Sequence, residues 1–341
     1  MISGKQPRWE LIGASRRGAS HQRKGTANQD AWGRWESACG ARLIAVADGH
    51  GSPRAMRSHL GARQAIHTVR EVVSQWLEDG GVEGEGGALS RLPATILGSW
   101  RKKIAADLLV NPLQAHELEK LETAARAEVL LDPIQAYGTT LLVVVVQEEE
   151  LIIIAIGDGE VLGVGPAGSQ ALLLDDERFI ANETTSLSMK AAESEFQVRS
   201  LAWRSEEIEM VLVCTDGVSN AFRSREGFQK LGGDLLEQLR ERGKEEVEVD
   251  LPGWLDDFSK EGSGDDVTLA MMVLTSGPPG EAKEAEIGAA VDVLLCSQSG
   301  RPMATLEVDE EEATEPVVRP WFKRMIPWFS LREDGSIERG E

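Results

Sequence analysis

The sequence predicts an α+β fold, antiparallel sheets covered by helices, and three observations carry that prediction. Short runs rich in Val, Ile and Leu occur at Leu43–Ala47, Thr139–Val146, Leu151–Ile156, Met210–Cys214 and Val267–Leu274, with the length and composition of strands. Only "QEEE" (Gln147–Glu150) separates the second run from the third. That gap is too short for a crossover helix, so these two strands form an antiparallel hairpin, which argues against a doubly wound parallel sheet. Helical periodicity occupies the longer intervals.

Taken in order, "MISGKQPRWELIG" has no long apolar stretch and is expected not to be a signal peptide. After the first run comes "DGHGS". Met56, Leu60, Ile66, Val69, Val73 and Trp76 then recur at roughly helical spacing. The acidic, glycine-rich Glu78–Gly87 is expected to be a flexible loop. Leu92, Ile96, Trp100, Ile104 and Leu108 mark a second amphipathic helix, and Leu118, Leu121, Ala125 and Val129 a third. The polar segment Pro166–Arg204 reads as an irregular, mobile excursion between strands; loops of that length are uncommon unless functional or disordered. Phe228, Leu231, Leu235 and Leu239 mark a helix after the fourth strand.

"TSGPPG" (Thr275–Gly280) is a linker by composition. Beyond it, Ile287, Val291, Leu294 and Leu295 suit one short helix, Glu307–Glu315 is an acidic run, and Arg319–Ser330 concentrates Trp321, Phe322, Trp328 and Phe329. The expected organisation is one domain over residues 1–276 and a linker with an acidic and aromatic tail over 277–341. Aromatic anchors of this kind suit docking onto a partner, the protein's own surface or a membrane interface.

The 341 residues include 41% hydrophobic and 27% charged side chains, a soluble globular composition. A formal net charge of −21 repels phosphate backbones and anionic membranes, so neither nucleic acid nor a membrane is expected as a partner. The lack of a basic stripe argues against a nuclease. No run reaches the ~18 apolar residues of a membrane helix, and the expected location is the cytoplasm. The three cysteines, Cys39, Cys214 and Cys296, form neither a CxxC pair nor a zinc spacing. Cys214, inside an apolar run, is expected to be buried and structural.

The strand ends carry the chemistry. "LIAVADG" ends on Asp48, "LIIIAIGDG" on Asp158 and "MVLVCTDG" on Asp216, while Asp265 and Asp266 precede the last run. In an antiparallel sheet the end of one strand lies beside the start of its neighbour, so all these acids can meet on one rim. An Asp-Gly after a single strand is ordinarily a turn. Several carboxylates on one rim repel each other and need a counter-charge, which a hard divalent cation supplies through oxygen ligands. Glycines beside these acids (Gly49, Gly159, Gly217, Gly264) allow close backbone approach. Two ions about 4 Å apart, bridged by a carboxylate, lower the pKa of a water from 15.7 toward roughly 7 and suit in-line attack on a phosphorus ester. His50, two residues from Asp48, is placed to protonate the leaving group.

"NQDAW" (Asn28–Trp32), "VADGHGS", "YGTTL" (Tyr137–Leu141), "IGDGE" (Ile156–Glu160), "CTDGVSNAF" (Cys214–Phe222) and "GDDVTL" (Gly264–Leu269) resemble, in this order, the motifs of the metal-dependent protein phosphatases, the type 2C serine/threonine phosphatases. The resemblance is to the bacterial branch with an "SH…G…NQDA" start and spans roughly residues 8 to 276. It implies a four-layer α-β-β-α sandwich with two central antiparallel sheets, two or three Mg2+ or Mn2+ ions, and a phosphorylated protein as substrate. It implies further that Asp48 bridges two metals, that Gly49 binds one through its carbonyl, and that Asp216 and Asp265 complete the ligands of the other. Asp266 and Asp30 would act behind the ligands, Asp158 at a third, weaker metal site, and His50 as general acid. Part of Pro166–Arg204 would form the flap that shapes substrate access.

Departures from the family pattern bear on the substrate. Gln29 stands where a Glu is frequent, Gly25 where an Arg often clamps the phosphate, and Gly159 and Glu160 where many relatives have Ser and Arg. His21, Arg23 and Lys24 are the candidates to replace the missing phosphate contact, and a solvated loop is the plainer alternative. These departures keep a pseudophosphatase, a binding module without turnover, as the competing reading.

Overall fold

The computed structural model describes residues 8–37, 40–81, 88–174, 184–204 and 207–275. Residues 7–275 form one compact unit. The expected short helix, acidic run and aromatic cluster of the tail lie outside the described residues. So do Cys39, Cys296, most of the glycine-rich loop and part of the expected flap.

Ten strands form two five-stranded sheets among the described residues. They are β1 (Arg8–Arg16), β2 (Ala31–Glu36), β3 (Arg42–Ala47), β4 (Leu141–Gln147), β5 (Glu150–Ile156), β6 (Glu160–Gly165), β7 (Gly168–Ala171), β8 (Gln197–Ala202), β9 (Met210–Cys214) and β10 (Val267–Thr275). One sheet runs β1-β10-β9-β6-β7 and the other β2-β3-β4-β5-β8, with every pairing antiparallel. The expected hairpin is β4–β5, closed by the pair Gln147↔Glu150.

Strand alternation explains why the central runs are apolar without interruption. Leu142, Val144, Val146, Ile44 and Val46 project between the sheets, where they meet Val211, Val213, Ala270 and Met272. Their neighbours Leu43, Ala45, Val143, Val145, Ile152 and Ile154 project the other way, against helices. These strands are therefore buried on both faces, and each Leu, Ile or Val fully withdrawn from water contributes about 1.5–3 kcal/mol. The outer layer on this side is α2 (Ser58–Glu78) and α3 (Ala88–Val110). On the other side α7 (Arg225–Arg242) and α8 (Lys244–Phe258) cover β1, β6, β7 and β10. The result is the four-layer α-β-β-α sandwich.

Two expectations change, and one helix has no counterpart in the sequence pattern. The single helix expected around Leu118–Val129 is two, α4 (Ala115–Leu118) and α5 (Thr123–Leu131). The Arg126 guanidinium donates twice to the Leu118 carbonyl, at 3.0 and 2.8 Å, and so satisfies the end of α4 from within α5. The segment 166–204, expected to be irregular, contains β7 and β8, each on the edge of a sheet. Their half-exposed, polar residues carry no run of apolar side chains, so the pattern missed them, as it missed β1, β2 and β6. The helix α8 contains Pro252, yet it buries Val247, Leu251, Trp254, Leu255 and Phe258 along one face.

Cys214 is buried and unbridged, as expected, and burial raises its thiol pKa so that it stays neutral. Among the described residues no helix is long and apolar enough to cross a membrane.

Candidate metal centre and catalytic rim

The strand-end acids meet at one rim of the two sheets. Asp48 follows β3, Asp158 follows β5, Asp216 opens the short helix α6 (Asp216–Ser219) after β9, and Asp265 and Asp266 precede β10. The antiparallel pairing of β9 with β10 (Leu269↔Cys214) and of β3 with β4 (Val46↔Leu142) brings these ends together.

Asp48 is clamped through its backbone. Its amide donates to Thr140 Oγ1 at 2.9 Å, and its carbonyl accepts from the Thr140 amide and from Thr139 Oγ1, both at 2.8 Å. Its carboxyl lies near enough to that of Asp216 for each to perturb the other's ionisation. Removal from water, then the charges of Asp30, Asp216 and Asp265, hold the Asp48 pKa well above the ordinary carboxylate range. Asp216 is raised for the same first reason and further by Asp158 and Asp265. Asn220 Nδ2 steadies it at 3.0 Å. Asp158 accepts from Thr184 Oγ1 at 2.5 Å.

The adjacent acids of "GDDVTL" part ways. Asp265 keeps a side chain 54% exposed, whereas that of Asp266 is only 3% exposed. Asp266 accepts the Gly18 amide on one oxygen and the Gln29 amide on the other, each at 2.6 Å. His21 Nδ1 stands 2.9 Å from Asp266, and Nε2 stands 3.9 Å from Asp265 Oδ1.

Gln29 ties several parts of the rim together. Its carbonyl accepts the Gly49 amide at 3.2 Å, and its side-chain amide donates to Ser58 Oγ at 2.7 Å. A Cβ on Gly49 would fall 2.6 Å from the Gln29 carbonyl oxygen, so only glycine permits this close approach of "DGH" to "NQD". Asp30 is buried, accepts from Thr215 Oγ1 at 2.9 Å, and has its pKa raised well above normal, first by burial and then also by Asp266 and Asp216.

His50 donates its amide to the Gly138 carbonyl at 3.1 Å. Burial lowers its imidazole pKa, while the charge of Asp158 works in the opposite sense. The Lys24 side chain is exposed and makes no hydrogen bond or ion pair among the described residues. It ends α1 (Ala19–Lys24), and Gly25 follows at φ 69°, the left-handed conformation that favours glycine at a helix end. Gly159 lies close under the rim, where a Cβ would fall 2.7 Å from the Cys214 carbonyl oxygen. Glu160 forms an ion pair with Arg225 at 3.4 Å.

This donor set fits hard divalent cations. Buried carboxyls crowded this closely must take up a proton or have a cation beside them. Asp30 Oδ1 and Gln29 Oε1 are moreover buried acceptors without a donor, and buried polar atoms are ordinarily satisfied by protein or by water. The motifs pointed to the acids. The roles of Thr139, Thr140, Thr215 and Ser58 were not evident from them, although "YGTTL" is itself one of the quoted motifs.

Comparison with known proteins identifies the family. The family model described as Protein phosphatase 2C matches residues 17–256, well over half of the chain. The chain belongs to the protein phosphatase 2C family, whose members are metal-dependent phosphoprotein phosphatases. Among solved structures it is similar to a bacterial serine phosphatase, with 13% identity and a TM-score of 0.52, covering 80% of this chain and 100% of that one. It is similar to the catalytic domain of the serine/threonine phosphatase PstP in complex with two manganese ions, with 20% identity, a TM-score of 0.50, and coverage of 79% and 100%. The Mycobacterium tuberculosis phosphatase PstP/Ppp gives 19%, 0.50, and coverage of 78% and 98%. At these identities the likeness is one of fold. The search of curated proteins gave no match.

Proposed function

We propose that this chain hydrolyses phosphoserine and phosphothreonine monoesters on protein substrates, with Mg2+ or Mn2+ as cofactor, within a catalytic domain of residues 1–276 followed by a separate tail. The observation that carries the reading is the gathering of Asp48, Asp158, Asp216 and Asp265 at strand ends on one rim, where Asp48 and Asp216 perturb one another's ionisation. Asp48 would bridge two ions, the Gly49 carbonyl would join it, Asp216 and Asp265 would complete the set, and Asp158 would serve a third ion. When bound, such ions supply positive charge and acidify water, lowering its pKa from 15.7 toward about 7.

The chain's own groups divide the remaining work. Asp266 holds the Gly18 and Gln29 backbones and so keeps Asp265 and Asp30 in register. Asp30 offers its unpartnered oxygen to water. In-line attack by water on phosphorus breaks the ester P–O bond, and the leaving alkoxide takes a proton. His50 stands beside this rim as the donor. Burial lowers the pKa of its imidazole, and the charge of Asp158, acting in the opposite sense, would favour the protonated form that this role needs.

The test is phosphate release by the full chain from p-nitrophenyl phosphate and from a phosphothreonine peptide, with manganese and then with EDTA. Manganese-dependent release from both, abolished by EDTA, is expected. No manganese-dependent release from either substrate overturns the reading, and peptide binding without turnover identifies a pseudophosphatase.

A further inference from the structure

An open cleft of about 510 Å3 lies beside the rim, between α3, the end of α5 with the turn that follows it, and the segment 188–190. The volume lies within the range of specific binding sites. Its lining includes Arg101, Glu128, Leu131, Asp132, Ser188 and Lys190. Only one glycine separates it from His50. A Cβ on Gly138 would fall 2.7 Å from His50 Cδ2 and 3.2 Å from Ser188 Oγ. Ser188 is anchored to the same scaffold as the strand-end acids: its Oγ lies 3.0 Å from Ser186 Oγ, which bonds Thr139, and Thr139 Oγ1 donates to the Asp48 carbonyl.

The charges in the cleft do not cancel. Glu128 is paired with Arg54 at 3.0 Å. Arg101 donates to the carbonyls of Met189 and Lys190, which fixes that segment, and its buried Nε has no partner. The exposed Lys190 ammonium makes no ion pair or hydrogen bond among the described residues. Against these two cations stands Asp132, whose carboxylate receives a 3.4 Å contact from Gln135. In a chain of net charge −21, a cleft that presents two cations against one acid not in an ion pair, next to the reacting centre, favours negative charge. A phosphorylated residue in a polypeptide necessarily brings its neighbours to this surface, since an extended chain advances only ~3.3–3.6 Å per residue. Leu131, 87% exposed, adds an apolar wall for them.

Resting on the function proposed above, we infer that this cleft is a substrate subsite that binds an anionic side chain flanking the phosphorylated residue, with Lys190 as the specificity-determining cation. The anion is a carboxylate or a second phosphate, and the two share this chemistry.

The test uses the full chain with manganese and fluorescein-labelled peptides in which phosphothreonine is replaced by a non-hydrolysable phosphonate. Flanking residues are Glu, a second phosphonate, Ala or Lys, and binding is read by fluorescence anisotropy. Wild type should rank the anionic flanks first and Lys last. Lys190→Glu should weaken the anionic peptides by up to about fivefold and strengthen the Lys-flanked one, whereas a general structural lesion lowers all four alike. Preference for the second phosphonate over Glu identifies a multiply phosphorylated substrate, and equal preference an acidic one. Flat ranking in wild type, equal shifts across the peptides in Lys190→Glu, or no binding of any peptide overturns the inference. Phosphate release from p-nitrophenyl phosphate separates the two proposals. Turnover with flat ranking removes the subsite alone, and retained ranking without turnover removes the catalytic reading alone.

Discussion

Asp266 Oδ2 accepts the backbone amide of Gln29 at 2.6 Å, while Oδ1 accepts that of Gly18 at the same distance. One buried carboxylate thus ties the start of β10 to the two ends of the segment carrying α1. Because both oxygens serve amides, an asparagine would turn an NH2 group toward an N–H donor. Asp266→Asn should therefore destabilise the fold by about 1–3 kcal/mol, read as a lower urea midpoint with unchanged slope. An unchanged midpoint would show that the amides find other acceptors.

Thr140 offers a narrower test of how Asp48 is held. Its hydroxyl accepts the Asp48 amide, and valine keeps the shape while removing that acceptor. Thr140→Val should cost about 1–3 kcal/mol and raise the manganese concentration needed for half-maximal phosphatase activity. Wild-type manganese dependence in this variant would mean that the threonine backbone and Thr139 suffice.

Metal removal and Asp48 should have opposite effects on stability and function. With EDTA, the crowded acids repel one another, so Asp48→Asn should melt higher than wild type, by roughly 2–4 °C per kcal/mol relieved. Manganese should raise the melting temperature of wild type but not that of Asp48→Asn, which should also lack phosphatase activity. A variant that still responds to manganese in both assays would place the ions elsewhere. Differential scanning fluorimetry with parallel phosphate-release assays reads both arms.

Glu117 carries a pH-dependent share of stability through a bond network separate from the strand-end acids. It accepts two bonds from the buried Arg57, at 2.7 and 2.8 Å, and Arg57 also donates to Tyr137 Oη at 2.7 Å. These bonds lower the Glu117 pKa, chiefly through Arg57, while burial of Tyr137 and its bond to Asp107 push its phenol up to about 12. A lowered carboxyl pKa contributes stability that is full above the unfolded-state value and is lost as pH falls through the folded one. Glu117→Gln should thus cost about 2 kcal/mol at pH 7, and the gap from wild type should shrink below about pH 4. A constant gap across an acid series of urea melts would contradict the assignment.

The elements legible in the sequence are those buried on both faces or along a full helical stripe. Val143–Val146 and Ile152–Ile154 could only be central strands, and Val69, Val73 and Trp76 only a buried helix face. Edge strands such as β7 and β8 escaped because one exposed face erases their apolar pattern, and α8 because Pro252 masks its period. At the rim, an acid after three of the five apolar runs announced Asp48, Asp158 and Asp216. Nothing local announced the threonine hydroxyls that hold them, since threonine is an ordinary strand residue.

What the sequence alone determined, then, is the class of fold, the family and the set of acids, because apolar runs interrupted by Asp-Gly have few other uses. What only the tertiary structure decided is how the acids differ. Asp265 and Asp266 are neighbours in "GDDVTL", yet one faces outward and the other is locked by the Gly18 and Gln29 amides. Likewise His21 lies against those two acids while Lys24, three residues on, extends into solvent. Spacing along a chain reports which residues can share a face. Which of them meets a partner more than two hundred residues away depends on the packing of two sheets, and no local pattern carries that information.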